Sequence, residues 1–487
     1  MPSIKSATEF IDQVDEYVYA EEQPGLLDVD AEFGGKEARL KLERKLLRKL
    51  DMRMSILVLI YILNYVDRNN ASAARLKGFE ADLHLKGQQF NTLLSILYVG
   101  YILMQIPSNM FLNYIGRPSI YLPLCMMLWG VISCLTGTTH SFTGALLTRF
   151  FLGFVEAAFF PGALFLLSKW YKRSELGLRT ALLACGNLIS NAFGSLMASA
   201  ILSGMQGKLG HAAWRWLFYI EGAMTILVAV VAMFILPDFP KNSHRFLSPE
   251  EMRLAELRMR EDIGVEETER QDSRFPGLFE ALGDWRVYWL ALALTSLVVS
   301  LSFNAFFPTL TATLGYSPTV SLLLCAPPWV FSTIVAFILN RHSDKTGERF
   351  FHIVIPLSIG IAGFILAIST MKLAARYFAL FLMAQSYSGF ICFLAWTSNT
   401  FARPPSKCAV ALAFVNAFSQ LGNIAGSYVW QKSWGPSYTH SYAICISANG
   451  LCIVMCLIFR QALANENKRL EDREISTGRA RGYRYLL

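Results

Sequence analysis

The sequence is poor in charge. Only 16% of its 487 residues are Asp, Glu, Lys or Arg, whereas a soluble globular domain carries about 25%. The charges that do occur are concentrated before residue 51, between 237 and 286, and after 459. Between these blocks lie apolar segments of roughly 20 residues, the length at which a helix crosses a bilayer. The pattern excludes an ordinary soluble domain and predicts an all-α polytopic membrane protein.

Several other features are lacking. The first 54 residues are polar and contain no secretory signal, so the first span must itself direct insertion. The nine cysteines lie mostly in apolar stretches, without the spacing of disulfide pairs or metal ligands. No nucleophile–base pair, phosphate loop or metal cluster is present. We therefore expect neither an enzyme nor a cofactor-binding protein. The net charge of +8 has a topological explanation and does not indicate nucleic-acid binding.

Twelve apolar segments are long enough to span a membrane, six on each side of a polar linker. This predicts an N-terminal tail (1–54), a six-helix half (55–236), a linker (237–285), a second six-helix half (286–461) and a C-terminal tail (462–487). The predicted spans are 55–75, 90–112, 118–138, 143–170, 177–203, 213–236, 286–312, 319–341, 351–370, 375–400, 407–431 and 440–461.

Basic residues lie on one side of this topology. They precede span 1 and fill the loops between spans 4 and 5 and between spans 8 and 9, whereas loops 3–4 and 7–8 contain neither Lys nor Arg. The positive-inside rule therefore places both termini in the cytoplasm. We expect a monomer in the lipid bilayer of the plasma membrane. The basic residues are Arg39, Lys41, Arg44, Lys45, Arg48, Lys49, Arg53, Lys169, Lys172, Arg173, Arg179, Arg341, Lys345 and Arg349.

The linker contains a helix start. Ser248 is followed by Pro249 and two acids, the arrangement of an N-cap, a first-turn proline and an acidic first turn. We expect a charged, solvated helix from Glu250 to Asp262.

A short motif recurs after the second span of each half. Loop 2–3 reads Asn109-x3-Asn113-Tyr-x-Gly116-Arg117, and loop 8–9 reads Asn340-x3-Asp344-Lys345-x-Gly347-Glu-Arg349. The second copy resembles the major facilitator signature G-x3-D-R/K-x-G-R-K/R, with Asn340 and Glu348 as departures. In the first copy Asn113 replaces the acid. We interpret Asp344, Lys345, Arg349 and Arg117 as gating residues that latch helices when the cytoplasmic side is closed.

Few charges lie inside the spans, where they are costly and usually functional. Span 1 contains Asp67 and Arg68, span 4 contains Arg149 and Glu156, and span 6 contains Glu221 near its outer end. The cores of spans 7–12 offer neutral polar groups instead. These are Asn304, Gln385, Asn399, Asn416, Gln420 and Asn423.

The spacing of these charges predicts their directions. Arg149 and Glu156 are two turns apart, so they share a helix face about 10 Å apart. Asp67 and Arg68 are adjacent and diverge by about 100° around the helix, so they do not pair with each other.

The planar guanidinium of arginine suits a carboxylate, and carboxyl groups can carry protons. The alternative is that these four residues form ion pairs that only fix helix packing, although buried ion pairs contribute little stability.

Four stretches together resemble one family. They match the anion:cation symporter family of the major facilitator superfamily, and most closely its fungal allantoate/nicotinate permease branch, over residues 50–460. The stretches are Asp67-Arg68-x-Asn70, Tyr101-x3-Gln105-Ile-Pro107, Arg149-F-x-L-Gly153-x-x-Glu156-Ala157-x-F-F-Pro161-Gly162 and Trp214-Arg-Trp-Leu-Phe-x-Ile-Glu-Gly222.

The resemblance implies proton- or sodium-coupled transport of organic anions. It assigns Arg68 and Arg149 to the substrate, Glu156 to coupling and Asp67 to protonation. It also implies polar substrate contacts from the other spans. These are Tyr101, Asn187, Asn399 and either Asn416 or Asn423.

One departure bears on the substrate. The vesicular glutamate transporters of the family have a further arginine in span 7, where this sequence offers Asn304. A monocarboxylate therefore fits better than a doubly charged anion. We expect proton-coupled uptake of a small organic anion; the alternatives are an efflux antiporter and a non-transporting nutrient receptor. Arg215 and Glu221, beside an aromatic anchor, are interpreted as structural.

Overall fold

All regular structure in the described part of the chain is helical. The computed structural model describes residues 33–240, 246–263, 276–401, 405–477 and 484–487. It confirms the all-α membrane fold with two six-helix halves, and each predicted span coincides with a helix. In chain order the twelve are Lys36–Ala74, Gln89–Ile115, Pro118–Gly137, Phe142–Trp170, Arg173–Gly204, Ala213–Ile235, Trp285–Ala312, Pro318–Thr346, Phe350–Ser369, Leu373–Thr400, Pro405–Ser427 and Thr439–Thr477.

Ten of these helices are long and apolar enough to cross a membrane by composition alone, counted over the described residues. The other two are spans 1 and 11. Span 1 carries two charges and three asparagines between residues 64 and 70, and span 11 carries Asn416, Gln420 and Asn423. The two least apolar spans are therefore rich in polar side chains in their interiors.

Three spans are interrupted near their middles. Span 4 consists of helices Phe142–Glu156 and Phe159–Trp170, span 7 of Trp285–Leu301 and Phe303–Ala312, and span 10 of Leu373–Ala384 and Ser386–Thr400. Interrupted helices at the midplane are common where transporters bind their substrates. Glu156 is the last residue before the break in span 4.

Helix contacts repeat between the halves. Span 1 packs on 5, 2 on 4 and 3 on 6, and the same pairs recur six positions later as 7 on 11, 8 on 10 and 9 on 12. The halves meet through spans 2 and 11, spans 5 and 8, and spans 1 and 7. The predicted repeat motif follows this symmetry. Gly116 and Gly347 both end their helices in the left-handed region, at φ 66° and 65°, where glycine is favoured as a C-cap.

The hydrogen bonds that join the two halves cluster on the face opposite the termini. Tyr428 of span 11 bonds to Thr92 and Ser95 of span 2, at 3.1 and 3.3 Å. Ser199 of span 5 donates to the carbonyl of Thr319 in span 8 at 2.9 Å. Aromatic packing of Phe90 and Phe306 rings from opposite halves adds to this seal. The structure is therefore closed on the face opposite the termini.

The linker helix, Pro249–Ile263, begins as predicted but is not solvated. Ser248 and Glu251 form reciprocal side-chain-to-backbone bonds of 3.2 and 3.0 Å, a capping box. Arg258 is fully buried between Glu43 and Glu175, at 2.5 Å from each. The expectation of a solvated helix is wrong because these opposite charges, together with buried apolar residues, dock it against the start of span 1 and loop 4–5.

Candidate functional site

Asp67 and Arg68 point in different directions from span 1. Both Asp67 carboxylate oxygens are held by hydroxyl groups: Ser133 of span 3 donates at 3.0 Å and Thr225 of span 6 at 2.7 Å. Arg68 instead points toward span 4. The prediction that the two do not pair with each other is therefore confirmed. Asp67 fixes the middle of span 1 against spans 3 and 6; its proton-sensitive role stays a prediction.

Arg68 pairs with Glu156. Its Nε and Nη2 atoms donate to the same oxygen, Glu156 Oε2, at 3.1 and 2.9 Å. Both residues are buried, and the other carboxylate oxygen, Oε1, has no hydrogen-bond partner. Sequence reasoning placed both residues in one site but did not pair them. Separation of this pair would leave the guanidinium free to bind another anion.

Arg149 of span 4 hydrogen-bonds to the turn of span 1 that carries Asp67 and Arg68. Its Nη1 donates to the carbonyls of Asp67 and Arg68, at 3.4 and 3.2 Å, and its Nη2 donates to Asn70 Oδ1 at 2.7 Å. The Nε atom has no partner. One planar guanidinium thus contacts three acceptors on span 1, which an ammonium group cannot reproduce.

Three tyrosines surround the Arg68 guanidinium. The ring centroids of Tyr65, Tyr101 and Tyr98 lie 4.9, 5.1 and 5.7 Å from its central carbon. Tyr101 was predicted at this site, whereas Tyr65 and Tyr98 were not. Each lies three residues from a predicted site residue, Tyr65 before Arg68 and Tyr98 before Tyr101, which places it on the same helix face. Their rings stabilise the cation while leaving its in-plane donors available.

A narrow cavity connects this cluster to the C-terminal half. It brings both arginines together with neutral groups from spans 7 and 11. Asn423 was predicted here, and its amide donates to Gln420 Oε1 at 2.8 Å. The lining residues are Arg68, Asn69, Ser72, Leu94, Leu97, Tyr98, Arg149, Ser302, Ala305, Phe306, Asn423 and Ser427.

The sequence agrees with this architecture. A family model described as Major Facilitator Superfamily matches residues 57–427. The chain belongs to the major facilitator superfamily. The chain is 33% identical to the MFS-type transporter cnsO of Penicillium expansum over 88% of this chain and 84% of that protein. It is 28% identical to the major facilitator-type transporter hxnP of Emericella nidulans, over 89% and 88%.

A bacterial relative and two solved structures extend the comparison. A protein of Agrobacterium vitis with the provisional name tartrate transporter is 29% identical, over 82% of this chain and 87% of that protein. The xylose transporter XylE of E. coli superposes with a TM-score of 0.63 at 14% identity, over 84% of this chain and 98% of that one. A bacterial homologue of the human lysosomal transporter Spinster gives 0.61 at 19% identity, over 83% and 94%. Both structures share the major facilitator fold.

The major facilitator signature loop holds some of the predicted gating residues together. Arg349 pairs with Asp344 at 2.7 Å and donates to Ser343 Oγ at 2.9 Å. With its side-chain oxygen turned toward Arg349, Asn399 accepts from the guanidinium at 3.1 and 3.3 Å. Lys345 is exposed in the same loop, and Arg117 is exposed in the other copy. Asn399 therefore lies at the signature loop and not in the arginine cavity.

Two further predicted substrate contacts, Asn187 and Asn416, do not line this cavity. Asn187 of span 5 is buried and its Oδ1 has no partner. Asn416 of span 11 lies two turns before Asn423, and its carbonyl accepts from Ser419 at 2.7 Å. Their predicted contact with the substrate stays a prediction.

Glu221 and Arg215 differ, although both were interpreted as structural. Arg215 donates to the carbonyl of Gly137 at 2.7 Å and contacts His140 Nδ1 at 3.0 Å, at the closed face. Glu221 is 1% exposed, its Oε2 has no partner, and it lines a second cavity between spans 1, 5, 6, 7 and 8. Sequence reasoning missed this cavity, because it depends on helices from both halves.

Proposed function

We propose that this major facilitator protein is a proton-coupled symporter that takes up a small organic monoanion. The Arg68–Glu156 pair carries the proposal. Both donors that Arg68 directs at span 4 end on one carboxylate oxygen. A substrate carboxylate and the Glu156 carboxylate would therefore compete for the same guanidinium.

This competition gives a rule for coupling. When Glu156 binds a proton, its attraction to Arg68 falls and the guanidinium can turn to the incoming anion. When the anion leaves, Glu156 loses its proton and pairs with Arg68 again. Counted over Arg68, Arg149, Asp67 and Glu156, the loaded and the empty sites are then both neutral. Binding of the anion without a proton, or of a proton without the anion, leaves an unbalanced buried charge. Such states are costly in a membrane interior.

Arg149 and the neutral groups complete the proposed site. Arg149 shares the cavity with Arg68 and keeps its Nε unpartnered. Asn423, Ser302 and Ser427 face the arginines from the other half. A monoanion with hydrogen-bonding groups away from its carboxylate suits this arrangement. The relative provisionally named for tartrate supports an organic acid as the class of substrate.

The proposed orientation in the membrane follows from the distribution of Lys and Arg and from the closed face. The side bearing the termini carries the excess of Lys and Arg, which supports a cytoplasmic assignment of that side. The proposed location is the plasma membrane. The closed face is then extracellular. Alternating access would open the contacts of Tyr428 in one step of the cycle and the Asp344–Arg349 ion pair in the other.

Uptake measurements test the proposal. A panel of labelled monocarboxylates would be offered to transporter-deficient yeast expressing the protein, at acidic and neutral external pH, with and without a protonophore. We expect accumulation that falls at neutral pH and with the protonophore. Accumulation that ignores both would contradict proton symport, and acid-driven loss of preloaded anion would favour the efflux antiporter.

Glu156→Gln tests the coupling group itself. The amide cannot release a proton, so we expect accumulation against a gradient to be lost while exchange of internal for external anion persists. Glu280→Gln, an exposed acid outside the spans, is the matched control and should accumulate normally. Accumulation in Glu156→Gln equal to that control would reject Glu156 as the coupling group.

A further inference from the structure

Arg75, at the end of span 1, reaches across the closed face to the other half. Its side chain is 9% exposed. Its guanidinium carbon lies 4.4 Å from the ring centroid of Phe90 and 5.9 Å from that of Phe306, and its Nη1 lies 3.5 Å from Thr309 Oγ1 in span 7. Contact with aromatic rings stabilises the cation and leaves its in-plane N–H groups for polar partners.

Glu80 is shared by two bases, one from each half. Arg75 Nε lies 2.7 Å from Glu80 Oε1, and Lys432, between spans 11 and 12, donates to Glu80 Oε2 at 2.9 Å. One carboxylate therefore faces two cations, and the three side chains together carry one excess positive charge.

The other charges of this region do not cancel that excess. The segment between spans 1 and 2, residues 75–88, contains three bases and two acids, and Lys432 adds a fourth base. A surplus of positive charge at the mouth of a pathway attracts anions and raises their local concentration. The bases of the segment are Arg75, Lys77 and Lys86, and its acids are Glu80 and Asp82.

Arg75 lies outside the arginine cavity, on the same side of span 1 as Arg68. The two residues are seven positions apart, which is two helical turns or about 10 Å. Ser72, three residues before Arg75, lines the cavity, and so does Phe306, one of the two rings that contact Arg75. An anion that enters from the closed face would therefore meet Arg75 before it meets Arg68.

Separation of the halves at this face would uncover Arg75. Phe306, Thr309 and Lys432 belong to the C-terminal half, so they would move away from Arg75 and Glu80 together. The Nη1 donor would then become accessible, while the ion pair between Nε and Glu80, which lies within the N-terminal half, would keep the guanidinium oriented. A planar guanidinium held at one edge can bind a carboxylate at the other.

We propose that Arg75 is an outer binding site for the transported anion. It holds the substrate carboxylate at the open mouth before the anion passes to Arg68 and Arg149. Glu80 is a positioning residue that orients the guanidinium, and Lys432 ties Glu80 to the C-terminal half when the face closes. The proposal rests on the proposed function and on the proposed orientation in the membrane.

Transport kinetics measured from the two sides test this site. A labelled monocarboxylate that the wild type transports would be supplied to cells from outside, and its release would be measured from preloaded vesicles of known orientation. We expect Arg75→Gln to raise the external KM by ~10-fold, the effect of one lost charge-assisted hydrogen bond, and to change the internal KM by less than ~2-fold. Lys86→Gln removes an exposed charge from the same segment and should change neither KM.

A purely structural role predicts a different result. If Arg75 only helped to close this face, its loss would favour the outward-open state, and the external KM would fall or stay unchanged. That result in Arg75→Gln would overturn the proposal. Lys432→Gln breaks the tie between the halves but keeps Arg75, so we expect no rise in its external KM. An equal rise in both variants would attribute capture to the general positive charge of the mouth and would also overturn the proposal.

A second variant covers failure of Arg75→Gln to reach the membrane. Arg75→Lys keeps the charge but loses the planar edge, so its external KM should rise by ~3-fold; no rise would overturn the proposal. Failure of the proposed function is distinguishable from these results. Absence of saturable monocarboxylate uptake by the wild type would reject the proposed function, and with it the outer site.

Discussion

The two halves of this protein share one helical plan but fill their interiors with different chemistry. The N-terminal half buries four charged side chains inside spans 1 and 4, where an ion pair, bonds from hydroxyl groups and bonds to span 1 hold them. At the matching depth the C-terminal half presents amides, such as Gln420 and Asn423, which bond along their own helix. The difference indicates that charge is handled on one side of the cavity and neutral recognition on the other.

The four charged side chains also depend on each other for charge balance, whereas the amides carry no charge. Arg149 holds the backbone of the two residues whose side chains bind Ser133, Thr225 and Glu156. Each amide of span 11 can be replaced without leaving a buried charge unpaired. Substitutions in the N-terminal half should therefore cost more, and loss of a charge should cost more than loss of an aromatic ring.

The largest effect is expected from Arg149→Lys. Lysine keeps the charge but loses the fork that reaches two carbonyls and Asn70. Loss of two charge-assisted hydrogen bonds at about 1.5–3 kcal/mol each corresponds to at least a ~100-fold lower initial uptake rate. The exposed Arg469→Lys is the control and should retain full uptake. Normal uptake in Arg149→Lys would show that charge alone suffices on the N-terminal side.

Asn423→Asp would give the neutral half a charge. The new carboxylate would line the same cavity as both arginines and would compete with the substrate for them. A unit charge about 10 Å away at an effective dielectric of about 20 changes binding by about 1.7 kcal/mol. We expect KM for the anion to rise by at least ~10-fold. Asn465→Asp, on the exposed surface, should leave KM unchanged; an unchanged KM in Asn423→Asp would remove span 11 from the site.

Tyr101 should show a smaller effect that depends on its ring. Tyr101→Ala removes one of three rings around Arg68, which we expect to raise KM by ~10-fold, because a desolvated cation–π contact contributes about 1–2 kcal/mol. Tyr101→Phe keeps the ring and should stay within ~2-fold of the wild type. Equal KM increases in both variants would indicate that the hydroxyl group matters and not the ring.

The smallest effect on transport is expected at the docked linker helix. Burial alone raises the pKa of Glu251, but the Lys49 ammonium, the Ser248 N–H and the Lys45 charge together hold this pKa below its ordinary value. A lowered folded-state pKa means that the carboxylate stabilises docking at neutral pH and loses this effect as pH falls through that pKa. The protection factor for amide hydrogen exchange of residues 249–263 should therefore fall in acid.

Glu251→Gln should reproduce that loss of protection at neutral pH. The expected increase in exchange rate is ~10-fold, since one charge-assisted hydrogen bond contributes about 1.5 kcal/mol. Uptake should change by less than ~2-fold. Glu250→Gln, an exposed acid on the same helix, should leave exchange unchanged. Faster exchange in both variants would attribute docking to the overall charge of the helix and not to Glu251.

Sequence reasoning located the spans because their length and composition are local properties. It also separated Asp67 from Arg68, since adjacent helical residues diverge whatever surrounds them. It could not pair Arg68 with Glu156, which are 88 residues apart, because that contact depends on how spans 1 and 4 pack. The docking of Arg258 between Glu43 and Glu175 and the cavity at Glu221 likewise arise only when distant segments meet.

The close approach of spans 2 and 4 has a mechanical consequence. A Cβ at Gly100 would collide with the carbonyl of Phe150, and one at Gly153 with the carbonyl of Leu97, so the two backbones are in contact and cannot slide past each other without cost. Span 4 carries Arg149 and Glu156, and span 2 carries Thr92 and Ser95, which hold Tyr428 at the closed face. Spans 2 and 4 therefore move as one rigid unit. A small displacement of span 4 at Arg149 is transmitted to the contacts of Tyr428 at the closed face.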